Sequence, residues 1–362
     1  MNYHLFIVDE ISLKYHLEYN FVGTGKSNTT FDIELWKDIV RLKPCDKIVF
    51  YVQNLKKFYG FFEVVFYPFF DPNHYLQPYT MPFLKIKKSN GQINEIKLQY
   101  RALIRPYFVF QNGIDEFELV DILPQSSTDV LWSILYRKLK GARGCSPLFE
   151  NEFNIIFQKI SQINNNQILS SQFFTFQNGQ ILPIRNGFQY NGLTNGLTTI
   201  QQNIKQDILN GNYRESHLHA LLIPYLNQQP YIKWLGNEVY CGAGTQKMDI
   251  LTIDSQNVFN IFEVKKDEIS SGITLQIEKY INWLKHRFKC FNNNAYQPIV
   301  VGEMIRGFHK LRNRINEFQQ FNNMQISLPI LYIEYEINQQ NNTIDFYQYN
   351  YLNNQRRLIW SI

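Results

Sequence analysis

The sequence predicts an α/β protein of two domains, and three observations lead to this prediction. The chain has 362 residues, which exceeds the roughly 100–200 residues of one ordinary domain. Residues 1–120 contain successive segments rich in aromatic and β-branched residues, whereas strand and helix patterns alternate from residue 201 onward. Between them, residues 164–200 are polar and glycine-rich. We therefore expect a first domain at 1–163, a linker at 164–200 and a second domain at 201–362.

The first domain is predicted to open with a series of strands. Aromatic and β-branched residues favour strands, and Pro, Gly, Asn and Asp turns separate the segments. Helical spacing of apolar residues, preceded by capping residues, indicates three helices. The predicted elements are strands at 3–8, 46–53, 58–66 and 82–88, and helices at 32–42, 127–144 and 150–163.

The second domain is predicted to contain helices between strands, which is the pattern of an α/β core. Apolar residues recur at helical spacing in three segments, and short apolar runs lie around them. The predicted helices lie at 213–227, 272–288 and 305–320, and the predicted strands lie near 237–241, 247–253, 258–265, 297–303, 328–336 and 343–350.

The composition excludes several classes of protein. The four cysteines form no CxxC pair, which argues against a zinc ribbon or a disulfide framework and fits a reducing compartment. The chain lacks an apolar run of about 18 residues, and its first residues lack the features of a signal peptide. We therefore expect a cytoplasmic protein that does not enter a membrane. The formal net charge of +5 permits a polyanionic partner without requiring one.

The segment "FEVKK" at 262–266 places charged residues at the end of an apolar strand. Side chains alternate along a strand, so Glu263 and Lys265 share one face. In an antiparallel hairpin with the preceding strand "KMDILTID", Asp249 would come near Glu263. Two carboxylates held that close favour a divalent cation, and an ammonium beside them could orient a water or steady charge on a phosphate. The pattern predicts a metal-dependent phosphodiester hydrolysis site.

An E-x-K triplet alone is weak support, because it occurs by chance. A second copy at residues 95–97 has no acid-bearing strand before it and no suitable helix after it, so a solvated strand edge explains it. Glu263, in contrast, is followed by an amphipathic helix with Gln276 and Tyr280 one turn apart. It is preceded by a helix that starts near Glu215.

The order of these motifs resembles that of the PD-(D/E)xK nucleases: Glu215, Asp249, Glu263-Val264-Lys265 and Gln276-x-x-x-Tyr280. The Gln-x-x-x-Tyr element is typical of the RecB-like branch. Together with Trp283, it looks most like the nuclease domain of NucS-type endonucleases, over roughly residues 205–305. Where those relatives usually carry Arg two residues before the strand aspartate, this chain has Lys247. Lysine lacks the bidentate fork of arginine, which implies a weaker phosphate contact.

The resemblance implies a restriction-endonuclease-like α/β core that uses Mg²⁺ or Mn²⁺. Asp249, Glu263 and the Val264 carbonyl would be metal ligands. Lys265 would position or activate the attacking water.

Three further side chains have roles that the resemblance implies. Glu215 would bind the metal through water or assist it, and Gln276 and Tyr280 would orient the lysine and the nearby phosphate. His217 and His219 lie on the Glu215 helix without a third ligand at metal spacing, and such pairs are usually incidental.

The stretch at 34–65 carries a second resemblance. It combines a helix with Trp36, a Cys45-Asp46 turn, a strand that ends with Tyr51, and Gly60 entering the next strand. This resembles EVE domains of the PUA-like superfamily, although Cys45 replaces the usual glycine.

The EVE resemblance implies a small β-barrel with helices, and several such domains are thought to read modified bases. A reader of this kind stacks an extruded base on aromatic rings, which makes Trp36 and Tyr51 candidates. Each ring, like Tyr59, could equally be barrel core.

A basic cluster lies in "YRKLKGARG", formed by Arg137, Lys138, Lys140 and Arg143. Contact with a nucleic-acid backbone and a solvated helix end that favours cations explain it about equally well.

These features predict a DNA endonuclease of restriction or defence type. A first domain recognising a specific or modified base would direct a nuclease domain to double-stranded DNA. One site per chain makes a homodimer attractive for cutting both strands. The alternative is a non-catalytic nucleic-acid-binding protein with a nuclease-like fold, although binding alone does not require the complete acid–acid–lysine set.

Overall fold

The computed structural model describes residues 1–24, 32–70, 84–87, 93–96, 98–120, 144–187, 196–241, 246–288, 292–351 and 353–362. The chain divides into two compact units, Met1–Gln201 and Gln202–Ile362. Each unit combines helices with strands, so the predicted mixed α/β class is confirmed. Within the described residues, no helix is long and apolar enough to cross a membrane.

The first unit begins with a strand and a short capped helix, in which the Asp9 side chain accepts a hydrogen bond from the Ser12 backbone. Its elements are β1 (Tyr3–Val8), α1 (Glu10–Glu18), β2 (Phe21–Thr24), α2 (Asp32–Ile39), β3 (Lys47–Val52), β4 (Lys57–Val64), β5 (Phe69–Phe70), β6 (Leu84–Lys87), β7 (Ile93–Ile96), β8 (Tyr100–Phe108), β9 (Ile114–Asp115), α3 (Glu116–Val120), β10 (Cys145–Leu148), α4 (Glu150–Ile163), β11 (Phe173–Gln177) and β12 (Gln180–Ile184).

Six strands of the first unit follow one path, in the order β10–β1–β3–β4–β8–β2. Strands β1 and β3 are parallel, and the other pairs along the path are antiparallel. Bulges at Val49/Phe50 and Phe61/Phe62 bend the strands and increase their twist. β10 and β2 are the end strands of this path, and the described pairing gives a bent sheet. The β-barrel that the sequence predicts stays a prediction.

Helix α4 covers one face of this sheet. Phe153, Ile156 and Ile160 recur at helical spacing and are almost fully buried. The Phe153 ring lies 4.5 Å from the ring of Tyr3 and 5.1 Å from that of Phe61, measured between centroids. The core of the first unit therefore lies between α4 and the β1–β3–β4 part of the sheet.

Part of the predicted linker 164–200 is folded structure of the first unit. β11 and β12 form an antiparallel hairpin that packs against α1. Thr175 Oγ1 donates a hydrogen bond to Glu18 Oε1 (2.5 Å), and Tyr59 Oη donates one to the carbonyl of Gly179 (2.9 Å). The linker prediction is wrong for these residues, and residues 188–195 lie outside the described part of the chain.

The hairpin has a sequence signal that its polar composition obscured. Asn178 and Gly179 both have positive φ, 53° and 73°, and Asn-Gly is the pair that favours a tight two-residue hairpin turn. Phe174 and Phe176 alternate on the buried face of β11. Thr175, the residue between them, faces the other side of the strand and is less buried, which is the pattern of a half-buried strand.

The second unit has a helix before its sheet and two helices between parallel strands. Its elements are α6 (Glu215–Asn227), β13 (Ile232–Tyr240), β14 (Lys247–Asp254), β15 (Phe259–Val264), α7 (Ile273–Phe288), β16 (Tyr296–Glu303), α8 (Phe308–Asn323), β17 (Leu331–Asn338), β18 (Thr343–Asn350) and β19 (Gln355–Ser361), preceded by α5 (Gly196–Leu209), which runs across the boundary between the units.

The seven strands of the second unit lie side by side in sequence order, from β13 to β19. β15, β16 and β17 are parallel, and α7 and α8 form the crossover connections that parallel strands require. β14 runs antiparallel to β15. The start of β14 and the ends of β15 to β17 therefore share one edge of the sheet, which we call the carboxyl edge.

Candidate active site

The carboxyl edge brings together charged side chains from three elements. Lys265, directly after β15, has its Nζ 2.7 Å from Glu263 Oε1, 3.5 Å from Glu215 Oε1 and 3.9 Å from Asp249 Oδ2. Glu215 begins α6, Asp249 lies on β14 and Glu263 lies on β15. The structure therefore gathers four of the residues that the sequence singled out.

The two strand carboxylates lie deep, and the other two groups lie nearer the surface. Glu263 is 0% exposed and Asp249 4%, whereas 28% of the Lys265 side chain and 39% of the Glu215 side chain are exposed. The site thus has a buried acidic floor, with Lys265 and Glu215 on its open side.

Backbone hydrogen bonds hold the site in register. Asp249 Oδ2 accepts a hydrogen bond from the backbone N–H of Val264 (2.8 Å), and the N–H of Lys265 donates to the carbonyl of Val301 on β16 (2.8 Å). Asp249 is therefore tied to the strand that carries Glu263. The Val264 amide is part of this link, and the predicted role of its carbonyl as a metal ligand stays a prediction.

The site holds more negative charge than its lysine neutralises. Burial raises the pKa of the Asp249 carboxyl well above its usual value, and Glu263 raises it further. Burial also raises the pKa of Glu263, against the opposing effect of Lys265. For Lys265, burial lowers the pKa, but Asp249 and Glu263 outweigh it, so the pKa is raised. A bound cation would relieve the repulsion between the carboxylates.

His219 belongs to this site, contrary to its interpretation as incidental. Its Nε2 lies 3.7 Å from Asp249 Oδ2 and 4.0 Å from Glu215 Oε1. His219 follows Glu215 by four residues, so the two share one face of α6, and this spacing was the signal that sequence reasoning missed. His217 points elsewhere: its Nδ1 accepts a hydrogen bond from the Arg214 backbone (3.0 Å), and its Nε2 lies 3.6 Å from Asp207.

The donor atoms fit a divalent metal ion. Ligand atoms of Glu215, His219 and Asp249 all lie within 4.8 Å of one another, which is close to the span of ligands about 2.0–2.2 Å from one ion. The buried Glu263 adds a further carboxylate beside them. Carboxylate oxygens suit Mg²⁺ and Mn²⁺, and an imidazole nitrogen suits transition metals better than Mg²⁺.

Gln276 and Tyr280 act on the start of β14. Tyr280 is fully buried, and its Oη donates a hydrogen bond to the carbonyl of Lys247 (2.7 Å) and accepts one from Gln276 Nε2. Burial and the charge of Glu263 raise the pKa of the Tyr280 phenol, which keeps it a neutral donor. The pair therefore supports the strand that carries Asp249, and its predicted contact with a phosphate stays a prediction.

Lys247 forms an ion pair with Glu238, which is 2% exposed. Glu238 has a left-handed backbone, with φ of 49°, an uncommon conformation for residues other than glycine. The lysine charge balances a buried carboxylate in this structure, so the predicted phosphate contact would compete with that pair.

The two aromatic candidates of the first unit have different surroundings. Tyr51 is 2% exposed, packs 4.8 Å from the Phe58 ring and donates a hydrogen bond to Glu116 Oε2 (2.5 Å). It is a core residue, and stacking on a base would require the core to open. Trp36 is half-buried against Tyr100, with 5.7 Å between ring centroids. Arg137, Lys138, Lys140 and Arg143 lie outside the described residues.

A cleft of about 460 Å³ in the first unit was not predicted. Tyr19, Asn20 and Arg105 line it together with Phe173, and we call it the Asn20 cleft. Asn20 has φ of 48° and donates from Nδ2 to the carbonyl of Gln172 (3.1 Å). Its Oδ1 is buried without a hydrogen-bond partner among the described residues. Aromatic walls and an amide suit a planar ring. The Arg105 guanidinium at the rim is exposed but pairs with the buried Glu63, so contact with a phosphate would compete with that pair.

Comparison with known proteins gives weak likenesses. No protein-family model matches the sequence, and no curated protein matches it significantly. Human THYN1 in complex with DNA containing 5-methylcytosine is 14% identical, with a TM-score of 0.29, over 44% of this chain and 97% of that chain. A hypothetical protein from Leishmania major is 14% identical, with a TM-score of 0.31, over 45% of this chain and 96% of that chain. A chain of an EndoMS–dsDNA2 complex is 15% identical, with a TM-score of 0.21, over 42% of this chain and 51% of that chain. Such values establish no family for the chain.

Proposed function

We propose that the chain is a metal-dependent DNA endonuclease of restriction or defence type, in which the second unit hydrolyses phosphodiester bonds. One observation supports this most: the Lys265 ammonium lies 2.7–3.9 Å from three carboxylates that come from three separate elements. Burying such groups is costly unless they are paired or bind a cation. Binding alone does not require this arrangement, whereas phosphoryl chemistry uses each part of it.

Asp249, Glu263, Glu215 and His219 would hold the metal ion, Mg²⁺ or Mn²⁺. When bound, the ion would polarise a phosphoryl oxygen and offset the charge that develops on the phosphate. The carboxylates and the imidazole supply the negative and neutral donors for this task, and the hydrogen bond from Val264 fixes the orientation of Asp249.

Lys265 would act as a charged donor. Its raised pKa keeps it protonated at neutral pH, so it can hydrogen-bond to the attacking water and to a phosphate oxygen at once. With part of its side chain exposed, it lies where a substrate phosphate could approach. Glu215, on the same open side, would accept a hydrogen bond from the water and help to orient it.

The first unit would recognise a specific or modified base. Its aromatic-rich sheet includes β3 and β4, which lie in the stretch 34–65 that resembles EVE domains in sequence. The Asn20 cleft offers a place for one extruded base, with Tyr19 and Phe173 as stacking surfaces and Arg105 near the flanking phosphate. Asn20→Ala and Arg105→Ala would then lower selectivity among DNAs while leaving cleavage of a preferred DNA detectable.

A homodimer would place two nuclease sites on one duplex, so that both strands are cut. The alternative, a non-catalytic nucleic-acid-binding protein with a nuclease-like fold, would bind DNA and cut nothing. Digestion of matched plasmids, plain and cytosine-modified, with Mg²⁺, Mn²⁺ or EDTA separates the two. We expect cleavage with either metal that Asp249→Asn abolishes. Binding without cleavage under all of these conditions would support the alternative.

A further inference from the structure

An exposed aromatic residue stands beside the carboxyl edge. Five consecutive residues, 306–310, are exposed between β16 and the first turn of α8. Phe308, at the start of α8, is 70% exposed, more than any other large apolar residue in the described part of the chain. The first turn of α8 therefore presents a ring to solvent, where burial would normally be favoured.

Helix α8 begins at the same edge of the sheet as the proposed catalytic lysine. β16 runs parallel to β15 and ends at Glu303, so the chain leaves the sheet at the edge that carries Lys265. Lys310 Nζ lies 3.0 Å from Glu268 Oε2, which ties the first turn of α8 to the loop after Lys265. The backbone N–H of Glu303 also donates to the carbonyl of Asp267 (3.2 Å), so the end of β16 and the start of α8 both adjoin the loop that follows Lys265.

The sequence segment around Phe308 is rich in basic residues. Residues 304–316 contain no Asp or Glu and include Arg306, His309, Lys310 and Arg312. The side chains of Arg306 and Lys310 are 81% and 74% exposed. Their pairs with Glu336 and Glu268 lie at the surface, where such pairs contribute little and exchange readily for phosphate oxygens.

We propose that Phe308 is a wedge that stacks on or inserts between bases of DNA bound at the carboxyl edge, with Arg306 and Lys310 on the neighbouring phosphates. The proposal rests on the proposed nuclease function for its substrate class. An aromatic ring between cations fits nucleic acid better than a protein partner, because every base has a face on which to stack. Apolar wedges of this kind unstack a base step and kink the duplex.

The experiment uses the full chain and a short duplex that carries several 2-aminopurines, in EDTA at fixed salt, so that binding is read without cleavage. We expect the wild-type protein to raise 2-aminopurine fluorescence. Phe308→Ala should bind about tenfold more weakly and lose the fluorescence rise, and Phe308→Trp should restore both. Arg306→Gln should lower the salt dependence of binding by about one phosphate contact, whereas Phe308→Ala should leave it unchanged.

Tyr231→Ala is the matched control. Tyr231 is also an exposed aromatic residue, at 57%, but it precedes the end of β13 that pairs with Asp254, away from the carboxyl edge. Its variant should behave as the wild type does. Equal affinity and fluorescence for Phe308→Ala and wild type would overturn the wedge, and so would a change of oligomeric state in Phe308→Ala without an effect on DNA. The nuclease proposal fails separately, if the wild-type protein binds DNA but cuts none with Mg²⁺ or Mn²⁺.

Discussion

The imidazole of His219 faces the carboxylate of Asp249, with 3.7 Å between Nε2 and Oδ2. The two residues come from α6 and β14, so only the fold brings them together. A nitrogen donor beside carboxylate oxygens shifts the preference of a site from Mg²⁺ toward Mn²⁺ and other transition metals. This relationship determines which metal the proposed nuclease should use best.

His219→Gln should lower the apparent affinity for Mn²⁺ by about tenfold or more and reduce any preference for Mn²⁺ over Mg²⁺. Cleavage rates measured against the concentration of each metal would show this. His217→Gln, two residues away on the same helix, is the control, because His217 caps the helix and does not face Asp249. Equal metal curves for His219→Gln and the wild type would remove His219 from the ligand set.

Lys265→Ala and Asp249→Asn should each abolish metal-dependent cleavage and leave DNA binding largely intact. Apart from His219, Lys265 is the only basic residue that the described ion pairs place within 4.0 Å of Asp249 or Glu263. Its loss therefore leaves the negative charge of the buried carboxylates unbalanced. Plasmid digestion and fluorescence anisotropy report the two properties. Glu95→Ala, in the second E-x-K copy, should cut as the wild type does. A folded but inactive Glu95 variant would show that the wrong copy was chosen.

Tyr280→Phe should lower both stability and cleavage rate. Its hydroxyl donates to the Lys247 carbonyl at the start of β14, and losing one such buried hydrogen bond costs about 1–3 kcal/mol. Urea unfolding and single-turnover cleavage would measure the two effects. Tyr332→Phe removes another buried hydroxyl, one that contacts Glu334 away from Asp249. It should lose stability without losing rate, and a matching loss of rate would mean that the Tyr280 effect is not local.

The free energy of unfolding should fall as the pH is lowered from about 6.5 to 4, in part through His16. Burial lowers the pKa of this histidine from 6.5 to about 4, and its ring stacks 5.8 Å from Phe50. In the unfolded chain His16 binds a proton below about pH 6.5, whereas in the folded chain it binds one only below about pH 4. Proton binding to His16 therefore favours the unfolded state across this window and lowers the free energy of unfolding by about 3 kcal/mol at the acid end.

Thermal melts of His16→Gln across the same pH window would test this origin. The variant should be less stable at pH 7, but its stability should depend less on pH than that of the wild type. His286→Gln, which changes an exposed histidine on α7, should keep the wild-type pH dependence. An unchanged slope in His16→Gln would assign the acid sensitivity to other groups, among them the buried His4, whose pKa burial also lowers.

The sequence predicted the parts of the site that depend on local geometry. Strand alternation placed Glu263 beside Lys265, and one hairpin placed Asp249 near them, because both rules act over a few residues. Whether a given ring is core or surface depends on contacts far apart in the chain, so the sequence left Tyr51 open between base stacking and core. The structure places it in the core, where α3 supplies its hydrogen-bond partner, Glu116. The role of His219 was missed although its spacing from Glu215 carried the signal.

The β11–β12 hairpin leads to the last prediction, which concerns where the first unit ends. Phe174, Phe176 and Ile181 are almost fully buried, and burying each such side chain contributes about 1.5–3 kcal/mol. Their sum is comparable with the whole stability of a domain, about 5–15 kcal/mol. A fragment of residues 1–163 should therefore be unfolded or molten, whereas a fragment of residues 1–187 should melt cooperatively.

Circular dichroism melts and amide NMR spectra of the two fragments measure the difference. Gln177→Ala in the longer fragment is the control, because Gln177 is an exposed position of the same hairpin. If the first unit is the reader, the 1–187 fragment should also bind duplex DNA selectively and cut nothing, compared at one salt concentration because phosphate contacts dominate affinity. Equal melting of the two fragments would mean that the hairpin adds nothing to the unit. The predicted linker would then begin at residue 164 after all, and the buried ring of Phe176 beside Tyr59, 5.1 Å between centroids, would have no role in folding.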